Sequence, residues 1–340
     1  MSDVPVQTHW LYEDGVGEVR AALVTHGRIV EGVIEREGTR ARAGAILPGR
    51  LAETIIPRKR GIARLDTGEE VLIEPIPPKV PEGAAILIEI FREAIAEHGL
   101  DGIRPKRAIG RVAPPGSRIK PATTVQERIE ASGHPVHMCH AHDADWLEQC
   151  GWSELLDEAM RGEIVREDAA LRIFPTPAMT LIDVDGAAPP AQLGPKGAKL
   201  AAQAIRRMGL AGSIGIDLPT MNNKDERQIA SAQIDKYLPQ PFERTAVNGF
   251  GFVQIIRRRE RASLMEVLRS DPAMTAALGA LRLAERHGGG AGGVTLTVAP
   301  DVARLIGRTP DWVRQIEKRR GGTLTIVGDT ALDRERFHAA

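Results

Sequence analysis

The sequence predicts a protein of the α/β class, more closely an α+β protein with several domains. Three observations carry this prediction. Short apolar runs separated by Gly and Pro fill the first hundred residues, which is typical of a small β-barrel. Strand and helix patterns alternate between Thr180 and Ile256, which predicts a layered α/β unit. A strand, a helix and a strand follow a glycine run near the C-terminus, which predicts a small βαβ appendix.

The composition excludes several classes of protein. The 340 residues hold 45 basic and 45 acidic side chains, so any nucleic-acid role must come from local charge. No apolar run approaches the roughly 18 residues of a membrane span. The two cysteines, Cys139 and Cys150, are too few for a disulfide framework. Since the N-terminus also lacks a signal-peptide pattern, we expect a cytoplasmic protein with no membrane partner.

The first 45 residues are predicted to be rich in β-structure. Strand-like runs at Val19–Val24 and Arg28–Glu35 flank the turn-prone pair His26-Gly27. The pattern predicts an N-terminal hairpin.

A small barrel is predicted over residues 46–108. Asp66-Thr67-Gly68 is a hairpin signal between runs at Gly61–Leu65 and Glu70–Ile73. Gly83–Ile95 supplies the last strand, although its second half fits a helix equally well. The Pro- and Lys-containing stretch 104–121 is typical of a linker or an exposed crossing segment.

Two segments carry opposite charge. Residues 140–168 hold nine acidic and two basic side chains, and they include a predicted helix at Ser153–Met160. Residues 191–270 hold thirteen basic and seven acidic side chains. The basic segment indicates either a surface for a polyanion or ordinary solvated helix faces, and charge alone leaves both open.

The α/β unit contains three strands and two helices. The strands are predicted at Thr180–Gly186, Ser213–Pro219 and Gly251–Ile256, and the first helix at Lys196–Met208. The second helix begins after Asn222-Asn223, which can cap it, and runs to about Leu238.

Asp183, Asp185 and Asp217 lie at the C-terminal ends of two apolar strands of this unit. Ligands of open α/β sheets bind at such strand ends. If the strands are neighbours, Asp183 and Asp217 converge on one hard cation such as Mg²⁺, which takes one or two carboxylates. The alternative is that each Asp caps the turn after its strand, and both interpretations remain open from the residues alone.

The run His134–Asp145 packs four histidines, Cys139 and two aspartates together. Such side chains can bind zinc, but no second half-site with matching spacing follows. The cluster is therefore either a metal site or a loop whose histidines are satisfied by the acidic segment. The GxGxxG pattern at Gly288, Gly290 and Gly293 has no strand before it, and we regard it as accidental.

The stretch from Met179 to about Arg261 resembles the catalytic region of the ribonuclease E/G family. TLIDVDG is similar to the family's first acidic strand, GAKLAAQAIRRMGLAGSIGIDLPTM to its Ala-rich helix and second acidic strand, and NGFGFVQIIRRRER to its Arg-Phe-Gly-Leu segment. GEVRAALVTHGRIVEGVIER and the barrel pieces resemble the family's start and its inserted OB-fold. The resemblance implies an RNase-H-like part at residues 1–45 and 109–168, an OB-like RNA-binding barrel at 46–108, a catalytic α/β domain at 169–285 and a small domain at 294–340.

This resemblance implies a Mg²⁺-dependent endoribonuclease that cleaves single-stranded RNA with metal-activated water and leaves a 5′-phosphate. Asp183 and Asp217 would hold the Mg²⁺, and Asp185 would act beside them where the family usually has an Asn. The backbone of the RNA would be held by basic residues, namely Lys199, Arg206, Arg257, Arg258 and Arg259.

The sequence also departs from the family's pattern. Thr220 stands where the second strand usually carries another acidic residue, and the cysteines of the family's zinc link are missing. A 5′-monophosphate pocket is not identifiable. These departures keep two alternatives open, an RNA-binding protein that has lost turnover and an unrelated metalloenzyme using the His/Cys cluster. A homodimer without a zinc link also stays open.

Overall fold

The computed structural model describes residues 8–99, 102–167, 169–288 and 292–340. Asp168 of the acidic segment and the centre of the glycine run lie outside these residues. The chain forms two compact units. The first unit comprises the described residues up to Glu37 together with Ile129–Met160 and Val267–Ala340. The second unit comprises Gly38–Arg128 and Arg161–Glu266.

Strands and helices are mixed along the described residues. The strands of the first half are β1 His9–Asp14, β2 Glu18–Thr25, β3 Arg28–Arg36, β4 Ile46–Ile56, β5 Arg60–Leu65, β6 Glu70–Ile73, β7 Ala85–Arg92, β8 Ile95–Gly99, β9 Gly102–Lys106 and β10 Ala108–Val112. Those of the second half are β11 Val136–Met138, β12 Glu163–Val165, β13 Ala170–Pro175, β14 Thr180–Asp185, β15 Gly212–Asp217, β16 Glu243–Arg244, β17 Phe252–Arg257, β18 Val294–Val298, β19 Leu324–Gly328 and β20 His338–Ala339. The helices are α1 Val125–Glu130, α2 Trp146–Gln149, α3 Trp152–Arg161, α4 Pro190–Arg207, α5 Lys224–Tyr237, α6 Leu264–Ser270, α7 Pro272–Arg286, α8 Pro300–Gly307 and α9 Pro310–Arg320.

The first unit contains two small sheets, in the orders β11-β1-β2-β3 and β19-β18-β20. The predicted N-terminal hairpin is confirmed as β2 and β3. His26 and Gly27 have φ values of 51° and 71°, which give the primed turn that suits a two-residue hairpin. The C-terminal βαβ pattern is confirmed as parallel β18 and β19, but α8 precedes the predicted helix between them.

The second unit contains a closed five-stranded barrel in the order β10-β6-β5-β4-β7. The predicted barrel and its Asp66-Thr67-Gly68 hairpin between β5 and β6 are therefore confirmed. The segment Gly83–Ile95 contributes strand β7 and no helix. The core of the barrel is formed by apolar side chains that include Leu51, Val71 and Ile88, each fully buried.

The linker expected over residues 104–121 is wrong for its first part. Strand β9 pairs with β8, and β10 closes the barrel between β6 and β7. The Pro, Lys and Arg side chains that suggested a linker are mostly exposed, whereas Ala108 and Gly110 are buried. Gly110 fits this place because a Cβ there would lie 2.7 Å from the Glu89 carbonyl oxygen.

The second unit also contains a six-stranded sheet in the order β12-β13-β14-β15-β17-β16. Strands β14 and β15 are parallel and are joined through α4, and the remaining neighbours are antiparallel. Helix α4 begins at Pro190, six residues before the predicted Lys196. Pro190 occupies the first helical position, where its missing N–H costs nothing. Helix α5 is capped by Asn223, which accepts from the N–H of Glu226, as predicted.

No helix in the described part of the chain combines the length and the apolar character that crossing a bilayer requires.

Candidate functional site

The parallel pair β14 and β15 brings Asp183 and Asp217 side by side. The two residues are direct Cα partners in the register of the strands. Neighbouring strands lie about 4.8 Å apart, and paired residues project from the same face of a sheet. The condition on which the predicted convergence of the carboxylates depended, that the two strands are neighbours, is therefore met.

The two faces of the six-stranded sheet differ in burial. One face is apolar and buried, with Ile173, Ile182, Val184, Ile216 and Val253 each at most 6% exposed. Helix α4 packs on this face, where Gly197 approaches the side chain of Val184. The other face is open to solvent and carries the carboxylates. The strand Thr180–Asp185 is thus buried on one face only.

Four side chains form one row across the open face. Arg172 is the register partner of Asp183, Asp183 of Asp217 and Asp217 of Phe252. We call Arg172, Asp183, Asp217 and Phe252 the carboxylate row. The ring of Phe252 leans over Gly215, where a Cβ would lie 2.5 Å from the ring's Cζ atom. The row therefore places a cation on one side of two carboxylates and an aromatic ring on the other.

The carboxylates of this face repel one another. Partial burial raises the pKa of Asp183, and the charges of Asp185 and Asp217 raise it further, while Arg172 acts in the opposite direction. Arg172 Nη1 lies 2.5 Å from Asp185 Oδ2 and 3.7 Å from Asp183 Oδ2. Arg172 Nε also lies 3.9 Å from Glu163 Oε1, so one guanidinium faces three carboxylates. A hard cation bound to Asp183 and Asp217 would relieve the excess negative charge.

Asp185, the third predicted catalytic residue, lies on the same open face as Asp183. It is two residues further along β14 and is the last residue of that strand. It is half-exposed and bound to Arg172. Among the described residues, no group of three or more His, Cys, Asp or Glu side chains is arranged around a common metal position. A cation here would therefore take the two carboxylates and fill its remaining positions with water or substrate oxygens.

The three consecutive arginines lie at the opposite end of the sheet from the carboxylates. The register pairs Arg257 with Gly212 and Phe252 with Asp217, so five residues, about 17 Å, separate Arg257 from the row. Arg257 donates to the Leu210 carbonyl oxygen, and Arg259 forms an ion pair with Glu266. Arg258 has a side chain 72% exposed and lies 3.1 Å from Glu260.

Lys199 and Arg206 lie on α4, which packs on the buried face of the sheet. The Lys199 ammonium lies 5.0 Å from the centre of the Tyr237 ring, a distance at which a cation is attracted to an aromatic face. Arg206 is half-buried in the last turn of the helix. The structure thus does not bring the predicted basic residues to the carboxylates, and contact with more distant phosphates remains a prediction for them.

The segment Val247–Gly251 forms a tight loop immediately beyond Asp217. The Asn248 Oδ1 atom accepts from the N–H groups of Phe250 and Phe252, at 2.9 and 3.0 Å. Thr220 Oγ1 donates to the Phe250 carbonyl oxygen at 3.2 Å. Gly251 has φ 95°, and a Cβ there would lie 2.1 Å from the Leu218 carbonyl oxygen. Only glycine fits at that place, and the loop holds Phe250 with its ring 81% exposed.

Sequence reasoning missed Arg172, Phe250 and Phe252. Arg172 alternates with the buried Leu171 and Ile173 on β13, so the period-2 pattern of ALRIFP was the available signal. The pairing of residues across strands depends on the tertiary structure, however, and cannot be derived from the sequence pattern of one strand.

The His/Cys cluster lies in the first unit and does not form a metal site among the described residues. Burial raises the pKa of the Cys139 thiol to about 12, which disfavours the thiolate that zinc requires. The His137 ring contacts Trp146 edge-on at 5.9 Å, and the rings of His140 and His142 stack on each other.

Comparisons of the chain with models of known protein families and with curated proteins give no match.

Proposed function

We propose that this protein is a Mg²⁺-dependent endoribonuclease that cleaves single-stranded RNA, with its centre at the carboxylate row. The observation that carries the proposal is the direct pairing of Asp183 and Asp217 on parallel strands of a solvent-open sheet face. The resemblance of Met179–Arg261 to the ribonuclease E/G family supports the same reading. On this proposal the six-stranded sheet and its helices are the catalytic domain, and the barrel is an OB-like domain.

Asp183 and Asp217 would hold Mg²⁺ through their carboxylate oxygens, and the ion would supply an activated water and neutralise charge on the phosphodiester. The net reaction adds water across the P–O3′ bond: oxygen from water joins phosphorus, and the 3′ oxygen leaves with a proton. The products are a 5′-phosphate and a 3′-hydroxyl.

The residues of the chain position the substrate around this point. The Arg172 guanidinium opposes the repulsion between the Asp183 and Asp185 carboxylates, and it orients their oxygens. Phosphates further along the strand would contact Lys199, Arg206 and Arg258, and the barrel would guide the unpaired strand. A cytoplasmic location belongs to this proposal, because Cys139 and Cys150 are free thiols.

A second candidate is an RNA-binding protein on the same scaffold without turnover. The Nη1 atom of Arg172, 2.5 Å from Asp185 and 3.7 Å from Asp183, favours it. A guanidinium there neutralises part of the charge that would otherwise draw a metal ion to the row.

Asp217→Asn separates the two candidates. In an end-labelled cleavage assay on single-stranded RNA with Mg²⁺, we expect discrete products from the wild type and at least a hundredfold slower cleavage by the variant, because removing one carboxylate weakens the metal site. EDTA should abolish the wild-type products.

The matched control is Asp66→Asn, which removes one carboxylate from an exposed turn of the barrel where Asn is equally suitable. It should cleave like the wild type. RNA that is bound but left intact by the wild type with Mg²⁺ would contradict the nuclease and favour the second candidate.

A further inference from the structure

Phe250 is the most exposed large apolar side chain in the described part of the chain. Its ring is 81% exposed, and its sequence neighbours Gly249 and Gly251 carry no side chains that could cover it. Isolated exposed apolar side chains are common on protein surfaces. What distinguishes Phe250 is therefore its support and its place beside the carboxylate row.

The support of the ring is rigid. The hydrogen bonds from Phe250 N–H to Asn248 and from Thr220 to the Phe250 carbonyl oxygen hold both sides of the residue. Gly251 N–H donates to the Asn248 carbonyl oxygen at 3.2 Å, and Leu218 N–H donates to that of Gly251 at 3.3 Å. The ring is thus presented on a fixed backbone, so little conformational entropy is lost when a ligand contacts it.

The place of the ring follows from the strand register. Phe252, the first residue of β17, is the direct partner of Asp217, and Phe250 lies two residues before it, just ahead of the strand. A nucleotide whose phosphate lies at Asp183 and Asp217 has its base within reach of this loop. Phe252 leans over Gly215 and is partly covered, which leaves Phe250 as the accessible ring.

We propose that Phe250 is a stacking platform for an unpaired base of a nucleotide flanking the cleaved phosphate. This inference rests on the proposed function and adds a recognition element to the same site. A flat aromatic ring stacks on any base, since every base has a π-face. The base must be unstacked from its neighbours to reach the ring, so the platform selects single strands over duplexes.

The surroundings of Phe250 favour a base over a second copy of the chain. Protein interfaces need a contiguous packed patch with an apolar centre. Here the exposed neighbours of the ring are Asn248, Gly249 and Thr220, and the charged carboxylate row follows on the other side. The exposed apolar side chains Leu181 and Phe174 lie on the other side of the carboxylate row, so charged groups separate them from the Phe250 ring. A single ring matches the size of a base and is too small for a stable protein interface.

The test compares Phe250→Ala and Phe250→Trp in RNA binding, measured by fluorescence anisotropy with Ca²⁺ in place of Mg²⁺. The probes are single-stranded RNAs of one sequence whose wild-type cleavage site has been mapped. One RNA is intact, and each of the others has an abasic nucleotide at one position from −2 to +2. We expect Phe250→Ala to lose about tenfold to a hundredfold in affinity for intact RNA and Phe250→Trp to stay within about threefold of the wild type.

The abasic RNAs make the test specific. At one position, loss of the base should weaken wild-type binding to the level of Phe250→Ala and leave the variant unchanged. Ile229→Ala, which removes a 54% exposed side chain of α5, is the control and should bind like the wild type.

Three outcomes would overturn the platform: wild-type affinity in Phe250→Ala, an equal loss on every abasic RNA, or a wild-type dimer that Phe250→Ala converts to a monomer in sedimentation. In each of them, RNA cleavage by the wild type would leave the nuclease proposal standing. A wild type that neither binds nor cleaves RNA would overturn both.

Discussion

At the scale of single residues, two carboxylates with arginine neighbours respond in opposite ways. Asp183 faces two other carboxylates and one guanidinium, and its pKa is raised. Glu13 is 6% exposed and contacts Arg20 at 2.7 Å and Arg282 at 2.8 Å. Burial raises the pKa of Glu13, but the hydrogen bonds and charges of Arg282 and Arg20 outweigh burial and lower it. The carboxylates around Asp183 are suited to binding a cation, whereas the charge of Glu13 is already balanced by its arginine partners and stabilises the fold.

We expect Glu13→Gln to lower the free energy of unfolding of the first unit by about 3 kcal/mol at pH 7, because it removes the buried carboxylate shared by Arg20 and Arg282 and leaves Arg20 with Glu18 alone. The folded-state pKa of Glu13 lies below its ordinary value of 4.5. Its contribution is therefore fully present above about pH 4.5 and is lost as the pH falls through the folded-state pKa. The stability difference between wild type and variant should shrink accordingly in acid.

Urea unfolding followed by tryptophan fluorescence checks this, since all four tryptophans lie in the first unit. Asp14→Asn is the control: the side chain is 68% exposed and 3.8 Å from Arg319, so it should change stability by less than about 0.5 kcal/mol. A difference for Glu13→Gln that is the same at pH 7 and pH 3.5 would contradict the network's role.

At the scale of elements, glycines let α4 lie close to its neighbours. Gly197 faces Val184, where a Cβ would lie 2.3 Å from Cγ1, and Gly194 faces the sulfur of Met221 at 2.6 Å. Glycine in a helix costs conformational entropy, so these positions trade helix propensity for close packing. Strand β14, which carries Asp183, is supported from behind by this contact.

Gly197→Ala should lower the free energy of unfolding by about 2 kcal/mol, because the added methyl group overlaps Val184 in a packed interior. Gly307→Ala on α8 is the opposing control. No atom lies within 4 Å of a Cβ there, so it should raise stability by about 0.5 kcal/mol. Urea unfolding followed by circular dichroism measures both changes, and a stabilised Gly197→Ala would mean that α4 is not tightly packed on β14.

The elements were largely predictable because their signals are local. The turn His26-Gly27, the hairpin at Asp66 and the cap at Asn223 each depend on residues adjacent in sequence. The start of α4 was missed because Pro190 suggested a break in the chain, although a proline can occupy the first position of a helix. Strand β10 was missed because the prolines and charged residues around it suggested a linker, and the burial of Ala108 depends on tertiary context.

The candidate site was predictable only in part for the same reason. Asp183 and Asp217 follow recognisable strands, so their pairing was foreseeable once the strands were taken as neighbours. Arg172, Phe250 and Phe252 join them through antiparallel register, which no local signal encodes. Arg257 and Arg259 were predicted to bind RNA phosphates. In the structure Arg257 donates to the Leu210 carbonyl oxygen and Arg259 forms an ion pair with Glu266.

At the scale of the whole molecule, the balance of 45 basic and 45 acidic side chains means that RNA is not drawn in by net charge. Of the five basic residues assigned to the RNA backbone, the proposed function uses three as phosphate contacts, namely Lys199, Arg206 and Arg258. The ion pair of Arg258 with Glu260 is 72% exposed on the arginine side, so a phosphate can replace the carboxylate there.

The logarithm of the affinity for single-stranded RNA should therefore fall with the logarithm of salt concentration with a slope of about −2, as three contacts predict. Arg258→Ala should flatten the slope by about 0.7. Arg314→Ala, which removes a 67% exposed side chain of the first unit, should leave it unchanged. Filter binding at several salt concentrations measures these slopes, and a wild-type slope steeper than about −4 would contradict the small number of contacts.

The interleaving of the two units sets an order for folding on the ribosome. The second unit is fully synthesised once Glu266 has emerged, whereas the first needs Val267–Ala340. At about 5–20 residues per second, these last 74 residues take roughly 4–15 s. During that interval Val16 stays unburied, because the other members of its core cluster all lie in the final segment. The N-terminal segment is made first, but the core around Val16 is completed last, so the nascent chain keeps this apolar side chain exposed after the second unit is already able to fold.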